Sequence, residues 1–317
     1  MSQVKAAPAP RAGERAGVGD PARASSRRES MTALLFLAPS LLVFLAFVFY
    51  PLVRSLFLSV HANDIIGQPT RLVGLENYVA MLTGPEFRLV LWTTFWFAAL
   101  TVVPSIAISL VLALLLSARV RGIRFFRTAF ALPFAFSVAT AAVVFSVLYN
   151  NVVGILNGLL FDLGLPGLNW LTDPGIALVS VAIATVWLQL GYDLLVLCAG
   201  LGAIPEDLYE AASLDGASGW RLARRITVPL LAPQLFFLIV VSTVQALQSF
   251  GQIYILTRGG PSNTTTTLVY SIYSRAFAFG SSDFGYASAE AVVLLLVVVL
   301  VITAIQFGFL ERRVFYQ

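Results

Sequence analysis

Polar side chains recur at helical spacing inside two stretches that are otherwise apolar. In FFLIVVSTVQALQSFGQIYI, Ser242, Gln245 and Ser249 fall on one face of a helix, with Gln248 and Gln252 beside it. In VAIATVWLQLGYD, Thr185, Gln189 and Tyr192 share a face at i, i+4 and i+7, and Asp193 is adjacent. Hydroxyls and amides in hydrocarbon are costly without partners. Two readings stand at this point. The groups bond between helices, as polar side chains in bundles do, or they line a path and hydrogen-bond a polyol or a phosphate ester. Asp193 repels an anionic solute, so it is expected off the path or paired.

Other chemistries are excluded by counting. The 317 residues hold one cysteine, Cys198, and one histidine, His61, so no metal site built from these ligands is available. Cys198 reads as a small buried apolar residue and His61 as a loop residue. Lys5 is the sole lysine, so no Gly-Lys-Ser/Thr phosphate loop exists and the chain does not bind ATP in that way. No nucleophile and base converge, which argues against an enzyme.

The elements that position these groups are membrane helices. The chain is 58% hydrophobic and 11% charged, against about a quarter charged in soluble domains. Six apolar segments, near 32–57, 89–116, 127–149, 175–200, 228–250 and 285–310, each approach the ~20 residues a span requires. Residues 1–30 are rich in Ala, Pro, Gly, Ser and Arg and read as a disordered tail before a membrane domain at 31–317. The formal net charge of +4 reflects arginines beside membrane segments rather than a nucleic-acid surface. Lys5, Arg11, Arg15, Arg23, Arg27 and Arg28 lie in the tail; Arg119, Arg121, Arg124 and Arg127 follow the second segment; Arg221, Arg224 and Arg225 precede the fifth; Arg312 and Arg313 end the chain. That side is expected to be cytoplasmic, with both termini. On the opposite side lie Arg71, Arg88, Arg258 and Arg275, with Arg54 snorkelling at the end of the first segment. Glu290, early in the sixth segment, is expected to snorkel or pair.

The cytoplasmic loop 205–227 is polar and patterned. Pro205, Glu206 and Asp207 suit a helix start. Leu208, Ala211, Ala212 and Leu214 give a short amphipathic helix, Gly216 permits a close approach, and Ser218 is placed to cap a second helix. The loop is either a connector lying on the bilayer or a docking knob for a cytoplasmic partner. Small residues, Ala211, Ala212, Gly216 and Ala217, suit the second.

EAASLDGASGWRLARRITVP resembles the EAA loop of permease subunits of binding-protein-dependent ABC importers, through Glu210, Ala211, Ala212, Asp215, Gly216, Ala217, Ile226 and Pro229. LTRGGPSNTTTTLVYSIYSRAF is similar to the Gly-Gly-Pro loop of the carbohydrate branch, and VGLENYVAML and LNWLTDP fit that branch too. The Thr264–Thr267 run, LVYSIYSRAF and RVFYQ resemble the A-type permeases of glycerol-3-phosphate importers. The resemblance runs from about residue 31 to the end. Ala223 departs from the family, which usually has an aromatic there; the resemblance then implies either a weaker packing contact with the ATPase or one shifted to Trp220.

The resemblance implies an all-α type I permease of six transmembrane helices in a bacterial inner membrane. It implies a second homologous permease, two ATPase subunits carrying ATP and Mg, and an external substrate-binding protein, with no cofactor in this chain. Glu210, Ala211, Ala212, Asp215, Gly216, Ala217, Trp220 and Arg221 are expected to meet the ATPase, and Gly216→Arg to abolish uptake in a folded protein. Arg258, Gly259, Gly260 and Pro261 are expected to face the binding protein. Sugar contacts of the related maltose-type permease match Phe134, Val138, Thr185, Leu188, Gln189, Ser242, Ala246 and Ser249, several changed to apolar or smaller residues. The substrate-lining set expected here is Phe134, Thr185, Gln189, Ser242, Gln245 and Ser249. Glycerol 3-phosphate, a glycerophosphodiester or an oligosaccharide all fit such a lining. An ion-coupled carrier is the alternative class, with Asp193 and Glu290 as its candidate acids.

Overall fold

The computed structural model describes residues 21–64, 66–117, 122–215, 217–278 and 282–307. A helical ladder begins at Pro21, so the part of the expected tail that lies outside the described residues is 1–20. Proline at a first helical position leaves no backbone donor unpaired.

The first span, α1 (Met31–Ser59), exposes its large apolar side chains along its length, Phe36 and Phe47 among them, as a helix solvated by lipid does. Its ladder widens to a π-turn over Leu45–Phe49, just before Pro51, which has no N–H to give. Strands β1 (His61–Asn63) and β2 (Pro69–Leu72) then form an antiparallel hairpin. His61 is thus a strand residue; its Nδ1 lies 2.6 Å from Phe57 O.

The core is a helix bundle. A short helix α2 (Glu76–Thr83) leads into α3 (Pro85–Leu116), whose most extensive partner is α7 (Ala177–Gly202). Along α3 the buried residues Thr101, Ser105 and Ser109 recur four apart, a stripe of small hydroxyls that lets α7 approach closely. Between them lie α4 (Ile123–Ala135), whose last four residues tighten into a 3-10 turn, α5 (Val138–Leu148) and α6 (Ile155–Asp162). Ser137 caps α5 by accepting from Thr140 N. The LNWLTDP stretch is held by Asn157, which accepts from Trp170 Nε1 at 2.8 Å and Leu168 N at 3.0 Å.

After α7 the chain forms α8 (Glu206–Leu214) and α9 (Gly219–Leu230), then α10 (Ala232–Leu247), α11 (Gly251–Leu256), α12 (Leu268–Phe277) and α13 (Phe284–Ile305). A second π-turn, Ala223–Thr227, precedes Pro229, the same response to a missing donor as before Pro51.

Among the described residues four helices are long and apolar enough to span: α1, α3, α7 and α13. The other two expected spans are bent pairs. The angle between α4 and α5 is 102°, and between α9 and α10 it is 68°. Six spans are present when each pair counts as one. Prolines 133, 229 and 233 and the Ser137 cap break the ladders; hydropathy is continuous across both bends.

Three apolar clusters tie the helices. Phe97, Phe145, Tyr149, Val181 and Ile253 join α3, α5, α7 and α11. Ile106, Ala113, Leu194, Leu197 and Leu238 join α3, α7 and α10. Met81, Phe87, Val90 and Leu268 join α2, α3 and α12.

Candidate functional site: a neutral cavity between two terminal loops

Where the third span bends between α4 and α5 and the fifth gives way after Leu247, a cavity of about 720 Å³ opens. Its position depends on Gly191 of α7. A Cβ there would lie 2.7 Å from Ala131 O and 2.8 Å from Phe134 N, so only a glycine admits the turn at the end of α4 across α7. The turn thereby sets Phe134 against Tyr192, ring centroids 5.6 Å apart, and Phe136 against Trp187 at the same distance. The fifth span ends at Leu247 and restarts at Gly251, so Gln248, Ser249 and Phe250 occupy the break and line the cavity.

Five of the six expected lining residues face this space: Phe134, Thr185, Gln189, Gln245 and Ser249. Thr185 Oγ1 donates to Val181 O at 2.9 Å. Ser249 Oγ donates to Gln252 Oε1 at 3.1 Å. Gln189 Oε1 is buried with no hydrogen-bond partner. Val138 and Leu188 also line the cavity, whereas Ala246 is buried away from it.

Ser242 is the correction. It is 1% exposed and turned to Asp193 rather than to the cavity. Ser242 lies three residues before Gln245, on the flank that packs toward α7. Asp193 is off the cavity, as its charge required, and its Oδ2 accepts from Ser105 Oγ at 2.6 Å. Phe136 and Phe250 are lining residues that sequence reasoning missed. Both sit at helix breaks, and an apolar aromatic there reads no differently from a lipid-facing one. Tyr192 lines it from the face of α7 that it shares with Thr185 and Gln189, and Gln248 and Gln252 line it too; the types of the two glutamines were visible, but not that the break turns them inward.

The loop 257–267 is folded on itself. Gly259 (φ 79°) accepts from Thr266 Oγ1 at 3.0 Å, and a Cβ on it would lie 2.6 Å from that oxygen. Thr265 Oγ1 meets Gly260 O and Thr257 Oγ1, each at 2.7 Å. The Gly260–Pro261 peptide is cis. Of Arg258, Gly259, Gly260 and Pro261, Arg258 is exposed, Gly259 is buried and the other two are half-buried. Arg275 is no free loop cation. It pairs with Glu86 at 2.9 Å and Glu290 at 3.3 Å and lies 4.2 Å over the Tyr286 ring. Glu290, wholly buried, also accepts from Ser271 Oγ at 3.0 Å.

At the other end, α8 and α9 form the expected helix pair. Ala217 N donates to Ala212 O at 2.9 Å, a 6→1 closure of the α8 end. Ser218 holds the N-cap position of α9, but its side chain makes no cap bond. Its φ and ψ are extended, and that end of the helix is open to solvent. Ala212 is buried, whereas Glu210, Ala211, Asp215, Trp220 and Arg221 are exposed and Ala217 is half-buried. Leu214 is 89% exposed and Trp220 72%. A groove of about 840 Å³ runs between this pair and the end of α3, with Glu210, Trp220 and Ala223 on its walls. Gly216 lies outside the described residues.

The model of the binding-protein-dependent transport system inner membrane component family matches residues 77–316, which take in the cavity and both loops. The chain belongs to this family. It is 38% identical over 285 residues to the sn-glycerol-3-phosphate transport system permease protein UgpA of Agrobacterium fabrum, covering 89% of this chain and 95% of that one. The corresponding protein of Salmonella typhimurium is 37% identical over 284 residues, with the same coverage. Two solved structures share the fold. One is of a bacterial ABC transporter involved in the import of the acidic polysaccharide alginate, with TM-score 0.79, 22% identity, and 94% of this chain and 100% of that one covered. The other is of the bacterial alginate ABC transporter in complex with an alginate pentasaccharide-bound periplasmic protein, with TM-score 0.78, 21% identity, and coverage of 91% and 97%. The chain is therefore a transport permease of the inner membrane with the ABC-importer fold.

Within this permease one helix path joins loop to cavity. From Trp220 the chain runs through α9, turns at Leu231, and continues through α10 to Gln248 and Ser249. Leu231 is wholly buried at the bend, so the two rods meet in a packed joint.

Proposed function

We propose that this permease forms half of the translocation path for a phosphorylated polyol, glycerol 3-phosphate or a glycerophosphodiester. A second six-span permease completes the cavity, two ATPase subunits dock at α8 and α9, and a substrate-binding protein docks at the opposite face near Arg258. Both termini are cytoplasmic, following the arginine distribution. ATP and Mg bind on the ATPases.

The observation that carries the reading is the pairing of cavity and relatives. The lining combines glutamines, a serine, a threonine, aromatic rings and aliphatic side chains, suited to a small polyol, and the family match over residues 77–316 takes in all of it, while the glycerol-3-phosphate permease of Agrobacterium fabrum is 38% identical over 89% of the chain. The helix path supplies the mechanism. ATP-driven closure of the ATPases displaces the exposed α8–α9 pair, α10 moves as a rod, and its end at Ser249 shifts the cavity wall. Coupling by ion flow finds little support. Asp193 and Glu290 are both engaged within the fold and neither lines the cavity.

The oligosaccharide reading has one specific observation in its favour. Phe134, Phe136, Tyr192 and Phe250 offer four aromatic faces to the cavity, and such faces stack on sugar rings. The test is purification of the chain from its native membrane in mild detergent, with mass spectrometry of what accompanies it. A second permease, an ATPase and a binding protein are expected, and the binding protein is then screened against glycerol 3-phosphate, glycerophosphodiesters and oligosaccharides. A chain that comes alone, under conditions that keep other complexes whole, contradicts the reading.

A further inference from the structure

No arginine or lysine lines the cavity among the described residues. The chain that leaves the cavity at Phe250 runs through α11 to one, Arg258, in the 257–267 loop. Arg275 is committed to Glu86 and Glu290, whereas no ion pair among the described residues involves Arg258.

Four aromatic rings join the cavity to that loop. Phe250 lines the cavity. Its ring stacks on Tyr254, one helical turn onward, at 5.3 Å and 22°, and lies 4.8 Å from Tyr273 and 6.2 Å from Tyr270 of α12. Tyr273 in turn lies 5.5 Å from Tyr254 and 6.4 Å from Tyr270. Tyr270 reaches the loop itself, since a Cβ on Gly259 would lie 2.6 Å from its Cε1. Arg258, the residue before Gly259, holds a left-handed φ of 51°, and its N–H donates to Ile253 O at 2.8 Å. The self-bonded loop thus fixes the backbone from which this guanidinium leaves.

The polar ends of these side chains converge as well as the rings. Burial raises the pKa of the Tyr270 hydroxyl, the Arg258 guanidinium opposes that, and Tyr254 adds to it. The Tyr273 hydroxyl is raised first by its hydrogen bond with Tyr254, and Tyr270 adds to it. Tyr270 and Tyr273 therefore stay protonated at neutral pH, as donors. Tyr254 is exposed, and the other two are half-buried. Among the described residues no backbone carbonyl or carboxylate takes a bond from any of the three, unlike Tyr149, whose hydroxyl donates to Ser180 O at 2.8 Å. Three phenol donors and one uncommitted cation stand together, and no acceptor of this chain answers them.

We propose that Arg258 and the hydroxyls of Tyr254, Tyr270 and Tyr273 form an outer phosphate subsite, which receives the phosphate of the substrate before the polyol reaches Phe250 and the neutral cavity. This rests on the phosphate-ester reading above. A phosphate ester is anionic at neutral pH and its oxygens accept, so it takes charge from the guanidinium and hydrogen bonds from the phenols. Selection for phosphate then lies at the mouth of this half of the path, and the cavity below it needs no cation.

The test uses the whole complex in proteoliposomes, with labelled glycerol 3-phosphate, internal ATP and binding protein raised to saturation. The triple variant Tyr254→Phe, Tyr270→Phe, Tyr273→Phe keeps every ring and removes every hydroxyl. Its maximal uptake is expected to fall at least about tenfold, the size of a lost bond to a charged group. Arg258→Gln is expected to lose about as much. Recovery of the intact complex with an unchanged Tm shows that each variant has folded. Wild-type uptake by the triple variant overturns the subsite. A loss that saturating binding protein abolishes makes these residues docking contacts and overturns it too. The series is run in two lipids, phosphatidylglycerol and the phosphate-free digalactosyldiacylglycerol, and the losses are expected in both. Losses confined to phosphatidylglycerol give the subsite to a lipid headgroup and overturn the proposal. A wild-type complex that moves an oligosaccharide but neither glycerol 3-phosphate nor a glycerophosphodiester overturns the functional reading and the subsite with it.

Discussion

The loop at 257–267 and the loop at 205–227 are both short connections rich in small and polar residues, and they are finished to different degrees. In the first, threonine hydroxyls bond back to the turn that carries them: Thr265 to Gly260 O, Thr266 to Gly259 O, Thr264 to Pro261 O. The neighbouring Arg275 has two carboxylates and a ring as partners. In the second, Leu214 and Trp220 stand exposed, and Ser218 caps nothing with its side chain. A loop that satisfies itself is a rigid part of the fold, and the loop that leaves apolar side chains exposed is the one the proposed function completes with an ATPase. Substitutions should therefore cost stability at the first and function at the second.

Arg275→Ala tests the finished end most severely. It strips the buried Glu290 of its cation, a loss of about 3 kcal/mol by analogy with other broken buried pairs. A thermal unfolding scan in detergent should show a clear drop in Tm. An unchanged Tm would mean that the pair is ornamental. Thr265→Val is expected to cost less, about 1–2 kcal/mol, because it leaves Gly260 O without that donor. The same scan reads it, and a value near zero would place the loop in the unfinished class.

Ala211→Arg belongs to the other end. Arginine is nearly as good a helix former as alanine, and the site is exposed. The chain should unfold within about 0.5 kcal/mol of wild type. Uptake should nonetheless be lost, through a bulky cation on the small-residue face. Normal uptake with normal stability would reduce the pair to a surface connector and erase the contrast between the ends.

Much of this was legible beforehand, for identifiable reasons. The spans declare themselves because about twenty apolar residues in a row have few other uses. The α8–α9 pair was legible because Pro205, the acidic first turn and the small residues each have a local meaning. The charge of Asp193 led to the expectation that it lies off the cavity or is paired, and it is both off the cavity and bonded to Ser105. The bends were not legible, since Phe136, Ser137 and Leu231 sit in unbroken hydropathy. The Ser242 assignment failed for a different reason: Ser242 and Gln245 share the unbroken α10, and a helical wheel does not show that Ser242 turns to Asp193 while Gln245 turns to the cavity. Gln248 and Ser249 lie beyond the end of that rod at Leu247.

The central claim is that a partner ATPase drives this path through the α8–α9 loop. The most direct measurement is accumulation of labelled glycerol 3-phosphate by proteoliposomes holding the complete complex, with ATP inside and binding protein outside supplied together or singly. Accumulation is expected when both are present, and none when either is omitted or when the complex carries Ala211→Arg. Accumulation driven by an ion gradient without ATP would contradict the account and make this chain a secondary carrier.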